Sequence, residues 1–251
     1  MNIAVNIGNS SLRISAAAHG ESKIWRIPAG NGTAAAELKT ILSGFPQQIE
    51  HGILASVNPE LTESVFRVLT DFCRFPPVLA QLPDNFLLDY SGYRKGLGID
   101  RAICCEAAFL QTPPPFIVVD FGTATTVNVI DRKKRFLGGA IMPGIRMAFS
   151  ALAGGTAQLP ELSVLSDAPL IGQSTQDGML AGVVRGAALY LDSAVSHIWE
   201  EYHMTGSVIV TGGSAETVLP YLQTPHRHDP NLILKGLHAL LNRKIEKGGT
   251  I

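Results

Sequence analysis

The 251-residue chain has almost no net charge, little cysteine and no long apolar run. Each shortage removes a class of function. Twenty Lys and Arg against 21 Asp and Glu give a formal charge of −1, which leaves no electrostatic drive for binding nucleic acid. Apolar stretches such as Phe116–Val119 end at charged residues or glycine, far short of the ~20 residues that cross a bilayer. Met1-Asn2-Ile3-Ala4-Val5 has no basic n-region and no small-residue cleavage site, so neither a secretory signal nor a membrane span is expected. Cys73, Cys104 and Cys105 are odd in number and lack metal-ligand spacing, as expected in a reducing cytoplasm. No G-x-x-x-x-G-K-[ST] loop is present, which excludes a P-loop kinase. Against these shortages, 46% of residues are apolar and only 16% charged, enough for one large core or two small ones.

The chain repeats itself. Ile3 to Ile7 reads as a buried strand, Gly8-Asn9-Ser10-Ser11 as a tight turn and Leu12 to Ser15 as a returning strand. The pattern recurs as Phe116 to Asp120, the turn Phe121-Gly122-Thr123-Ala124, and Thr125 to Ile130, with Asn6 and Asp120 at equivalent places 114 residues apart. Two related α/β halves are implied. Between the copies, Gly52 to Val57 reads as a strand, and Thr33–Leu42 and Pro59–Phe72 as helices. Pro113-Pro114-Pro115 breaks the chain and sets the expected boundary, giving domains 1–113 and 114–251. A long helix is expected from Thr175 to about Glu201, opened by the capping pattern Ser174-Thr175-Gln176-Asp177. Gly178, Gly182 and Gly186 recur every fourth residue along it, which points to close packing on another helix, in this chain or in a second subunit. Val208 to Gly213 reads as a strand and a third glycine turn.

Glycine turns after buried strands leave amides and hydroxyls free to approach a phosphate. Asn9, Ser10 and Ser11 in the first turn, and Thr123, Thr125 and Thr126 in the second, are such donors, and Asp120 is a carboxylate suited to a hard cation. Two phosphate turns facing one cleft suit an ATP-dependent phosphotransferase. Gly96-Leu97-Gly98-Ile99-Asp100-Arg101 precedes a helical stretch, Ala102–Leu110. Asp100 reads equally as its N-cap or as a base taking a proton from a substrate hydroxyl, with Arg101 holding an anion. Arg132-Lys133-Lys134-Arg135 reads as a solvated hairpin tip, and His226, His228 and Asp229 lack a fourth metal ligand.

Taken in order, Asn6-x-Gly8-Asn9-Ser10, Gly96-x-Gly98-Ile99-Asp100-Arg101, Asp120-Phe121-Gly122-Thr123-Ala124-Thr125-Thr126, Gly138-Gly139-Ala140-Ile141-x-Pro143-Gly144, Ile171-Gly172-x-x-Thr175 and Thr211-Gly212-Gly213 resemble the motifs of type III pantothenate kinases. The resemblance implies a duplicated ribonuclease-H-like, actin-like two-domain fold with an interdomain cleft, assembled as a cytoplasmic homodimer. The implied reaction is transfer of the ATP γ-phosphate to pantothenate, the first step of coenzyme A synthesis, with Mg²⁺ and K⁺ or NH₄⁺. Carried over by position, Asn6, Ile7, Gly8, Asn9, Ser10, Ser11, Leu12, Arg13 and Thr123 would meet ATP. Asp120 would hold the monovalent cation and Asp100 would be the base. Gly98, Ile99, Asp100, Arg101 and Thr175 would contact pantothenate, together with Tyr90 or Tyr93.

One position departs from the pattern. Asn6 stands where the family carries Asp, removing a negative charge from a site organised around a dication. A slow kinase is implied or, as an alternative, a catalytically impaired nucleotide- or metabolite-binding regulator on the same fold.

Overall fold

The computed structural model describes residues 1–18, 21–30, 32–83, 85–162 and 167–248. They form two compact units, one of Met1–Gln111 with Asn231–Ile251 and one of Thr112–Pro230.

The first unit contains β1 (Asn2–Ile7), β2 (Ser11–Ala18), β3 (Glu21–Pro28), α1 (Ala34–Ser43), β4 (His51–Ser56), α2 (Pro59–Phe72), β5 (Val78–Leu79) and α3 (Ile99–Phe109). The second contains β6 (Phe116–Phe121), β7 (Ala124–Ile130), β8 (Phe136–Pro143), α4 (Ile145–Gly155), α5 (Thr175–Leu180), α6 (Gly186–Glu201), β9 (Ser207–Thr211), α7 (Ala215–Val218) and β10 (Arg227–His228). The chain then returns to the first unit as α8 (Leu232–Glu246). The sheets are ordered β3-β2-β1-β4-β5 and β8-β7-β6-β9-β10. In each, the first three strands are antiparallel and the last two join in parallel. The same order and sense in both sheets give the duplicated ribonuclease-H-like α/β architecture that the repeated hairpin implied.

In the first sheet, alternation along the strands decides which helices cover which face. Ile3, Val5 and Ile7 of β1 and Leu12 and Ile14 of β2 pack on Leu38 and Leu42 of α1 and Val65 and Leu69 of α2. The alternate residues meet α8: Arg13 donates to Asn231 Oδ1 at 2.9 Å, and Ser15 Oγ lies 3.2 Å from His238 Nε2. Helix α8 itself crosses α3 closely, because a β-carbon at Gly236 would lie only 2.6 Å from the Ile103 carbonyl oxygen and 3.2 Å from Ala107.

The structure differs from the sequence-based expectations in three ways. Residues 231–248, expected in the second domain, pack with the first because α8 buries Leu234, Leu237 and Leu241 there. Asp100 is not the N-cap of α3. Gly98 takes that place and Asp100 lies in the first turn. The third concerns only the alternative of packing within the chain for Gly178, Gly182 and Gly186: among the described residues, a β-carbon at any of them would have no neighbour within 4 Å.

Those glycines lie on a helix continuous over Thr175–Glu201, with a π-helical turn at Ala181–Arg185 between α5 and α6. At 27 residues, this helix is long and apolar enough to span a membrane by length and composition, which the short apolar runs did not suggest. One side of it, with Leu180, Val184, Ala188, Leu191 and Val195, is buried in the core of the second unit with Val119 and Val127, and about a third of its apolar stretch is buried.

The Gly236 crossing yields a test. Gly236→Ala forces α8 off α3 and is expected to cost the first unit about 1–3 kcal/mol, measured by urea denaturation.

Candidate active site

The first hairpin is shaped by backbone pairing before any ligand arrives. The Gly8 N–H donates to the Ser11 carbonyl at 3.0 Å, the Ser10 carbonyl accepts from Ala29 N–H at 3.1 Å, and Arg26 Nε donates to Ser11 Oγ at 3.2 Å. β3 thereby braces the turn, while Asn9 and Ser10 remain exposed at its tip. Ile7 and Leu12 are fully buried, with their side chains in the core. They can offer a nucleotide only their main chain. Asn6 and Arg13 are register partners, so their side chains share one face. Asn6 is only 9% exposed.

The second cluster is built on the N-terminus of α3. Asp100 Oδ1 accepts the Arg101 N–H at 2.8 Å and folds back over Gly98, where a β-carbon would lie 2.6 Å from that oxygen. Glycine at 98 is what lets the carboxylate sit there. Arg101 is buried, with its guanidinium 5.7 Å from the Tyr93 ring centroid and Nη1 3.4 Å from the Tyr93 hydroxyl. Tyr90 is used differently. Its hydroxyl donates to the Ala102 carbonyl at 3.0 Å, and burial pushes its ionisation far above the ordinary phenol range. Of the two tyrosines that the sequence left open, Tyr93 faces the Arg101 guanidinium and Tyr90 fastens the loop to the helix.

In the second unit, Asp120 is the penultimate residue of β6 and lies between two glycine turns. A β-carbon at Gly122 would lie 3.3 Å from Asp120 Oδ1, and one at Gly212, whose φ is +105°, would overlap the same oxygen. Glycine at both places keeps side chains off this carboxylate. Thr123 is exposed, and its carbonyl accepts from Gly144 N–H at 3.1 Å, which ties the turn to the start of α4. Thr126 Oγ1 accepts from Asn128 Nδ2 at 3.0 Å. Thr125 does not fit the donor role suggested by its place in the turn, because it is 2% exposed and its Oγ1 is buried without a partner.

Thr175 opens α5 and is exposed. Ser174 caps that helix, accepting the Asp177 N–H at 3.1 Å as the capping pattern implied. Thr175 lies on the rim of an apolar cavity of about 700 Å³ lined by Pro143, Leu152, Leu159, Met179 and Val183. Of the remaining candidates, Arg132–Arg135 forms a hairpin tip closed by Asp131, which accepts from Lys133 N–H and from Arg135 N–H and Nε. His226 Nδ1 is 2.7 Å from the Thr224 carbonyl. No group of three or more His, Cys, Asp or Glu suited to a metal occurs among the described residues.

Comparison with known proteins gives the family. The family model described as type III pantothenate kinase matches residues 2–201. The chain is 31% identical to a type III pantothenate kinase of Moorella thermoacetica over 97% of its own length and 99% of the relative. It is 40% identical to one of Acidothermus cellulolyticus over a stretch covering 59% of this chain and 58% of that protein. Among solved structures, a Campylobacter jejuni protein described as a Baf family transcriptional activator superposes with a TM-score of 0.63 at 23% identity, covering 97% of this chain and 99% of that one. A Sinorhizobium meliloti protein described as a 2-dehydro-3-deoxygalactonokinase gives 0.55 at 15% identity, covering 100% of both chains. At these identities the two structures speak for the fold alone.

The orphan hydroxyl is directly testable. Thr125→Val removes a buried donor without changing volume, and a gain of about 1 kcal/mol in unfolding free energy is expected, measured by chemical denaturation.

Proposed function

The chain belongs to the type III pantothenate kinase family, and we propose that it transfers the γ-phosphoryl group of ATP to the terminal hydroxyl of pantothenate in the cytoplasm. The observation that carries this reading is the Asp100 carboxylate set over Gly98 at the start of α3, beside Arg101. Oδ1 is occupied by the Arg101 N–H, while Oδ2 has no partner among the described residues and is available to take the hydroxyl proton. As that proton leaves, the alkoxide oxygen forms the new bond to the γ-phosphorus and ADP departs with the old bridging oxygen. Arg101, held by Tyr93, is suited to the substrate carboxylate, and the main chain of Gly98 and Ile99 borders the same position. Thr175 is a further pantothenate contact in this reading.

The turn from Asn6 to Arg13, together with Thr123, is assigned to the nucleotide phosphates. K⁺ or NH₄⁺ fits the carboxylate cradle at Asp120, where it would supply a fixed positive charge beside the phosphates. Mg²⁺ fits the first hairpin poorly, since Asn6 provides an amide in place of an anionic ligand. It would be carried mainly by ATP itself.

A coupled assay with pantothenate, ATP, Mg²⁺ and K⁺ tests the reading. Native protein should turn over, Asp100→Asn should lose about 10²-fold or more in kcat, and Asn6→Asp should reach half-maximal rate at lower Mg²⁺. Silence in all three proteins would overturn the reading.

The bare stripe Gly178, Gly182 and Gly186 supports a homodimer that packs on this helix face. Gly182→Leu is then expected to shift the protein to monomer in sedimentation equilibrium, whereas an unchanged mass would remove this face from the interface.

A further inference from the structure

Glu106 is a charged residue with no exposed surface. It lies on α3 one and a half turns beyond Asp100. Oε1 accepts two backbone N–H groups, from Leu87 and Leu88, each at 2.8 Å, and Oε2 accepts from Arg243 of α8 at 2.9 Å. Leu87 and Leu88 begin the segment that carries Tyr90 and Tyr93 into Gly98. That segment runs along α3 and is fastened at successive points: at Glu106 by the two amides, at Ala102 by the Tyr90 hydroxyl, and at Arg101 by Tyr93. A second tie from α8 reaches the same segment, where Lys247 Nζ lies 3.1 Å from Asn85 Oδ1.

Stability alone does not account for a carboxylate in this place. Burial raises its proton affinity, and the two amides and Arg243 oppose that rise without cancelling it. A folded-state pKa above the unfolded value means the group favours folding most at low pH and works against it as pH rises to neutrality. Buried ion pairs of this kind commonly contribute little net stability. What the carboxylate does supply is register, because one side chain accepts two consecutive amides and so sets where the loop begins its run along α3.

We infer that Glu106, held by Arg243, is a positioning residue for the acceptor site: it sets the register of the Tyr93 segment against α3 and thereby places Tyr93, Arg101 and Asp100 for the pantothenate end of the reaction. The inference rests on the assignment of Asp100 and Arg101 to the acceptor. It separates the two substrates, since the hydrogen bonds of Glu106 run to Leu87, Leu88 and Arg243 and not to the hairpin assigned to ATP.

Steady-state kinetics of the full chain, with pantothenate and ATP varied separately, test it on Glu106→Leu, Glu106→Gln and Arg243→Met, alongside thermal midpoints. Glu106→Leu should raise KM for pantothenate about tenfold or more while KM for ATP stays within about twofold. Glu106→Gln, which keeps a carbonyl oxygen for the two amides, should recover most of that loss, with Arg243→Met in between. Equal KM values for pantothenate in native and folded Glu106→Leu, or both KM values rising together with a fall in thermal midpoint, would overturn the inference. If Glu106→Leu does not fold, Glu106→Gln and Arg243→Met decide: unchanged pantothenate KM in both defeats it. Turnover by native protein that is lost in Asp100→Asn keeps the acceptor assignment standing whatever the Glu106 result. If native protein neither turns over nor binds pantothenate by calorimetry, that assignment fails and the inference fails with it.

Discussion

Both units depend on a central strand that is hydrogen-bonded antiparallel to its hairpin partner on one side and parallel to a later strand on the other. β1 holds this place in the first sheet and β6 in the second. Such a strand is committed on both edges and buried on both faces along most of its length, so its polar residues are confined to its end. Asn6 and Asp120 stand at those ends, each followed by a glycine turn where the chain reverses into the next strand. The same pairing that forms the cores therefore delivers one polar side chain and a glycine turn per unit.

The residues proposed for the acceptor are organised by a different device. α3 presents its N-terminus, where Asp100 is favoured by the helix dipole, and a long irregular segment is fastened along its side. That segment has little regular structure, so its conformation comes from side-chain anchors: the Tyr90 hydroxyl, the Glu106 carboxylate and the stacking of Tyr93 on Arg101. α8 closes this arrangement from behind through Gly236, Arg243 and Lys247. The last helix of the chain thus belongs to the machinery of the first unit, and the close crossing at Gly236 ties its packing to that of α3.

The two hairpins differ in the charge they carry. Asp120 is a carboxylate between Gly122 and Gly212, whereas Asn6 is a neutral amide paired in register with Arg13. A duplicated fold need not have duplicated chemistry. Each copy keeps the strand and the turn because backbone pairing requires them, and the residue near the strand end differs between the copies.

Local pattern was enough to identify the repeated hairpins, the capping of the long helix by Ser174, the break at the proline run and the motifs that mark the family. Each of these is written in neighbouring residues: alternation, glycine at a turn, a hydroxyl three residues ahead of an amide. Only the tertiary structure decided that Gly98 and not Asp100 caps α3, that Tyr93 rather than Tyr90 faces Arg101, that the Thr125 hydroxyl is buried away from the turn, and that residues 231–248 return to the first unit. The anchoring of Leu87 and Leu88 by Glu106 and Arg243 was equally invisible, because its partners lie up to 137 residues apart. Periodicity and turn chemistry report what a residue does with its neighbours in the chain, whereas hydrogen-bond partners and burial are set by which distant surfaces meet.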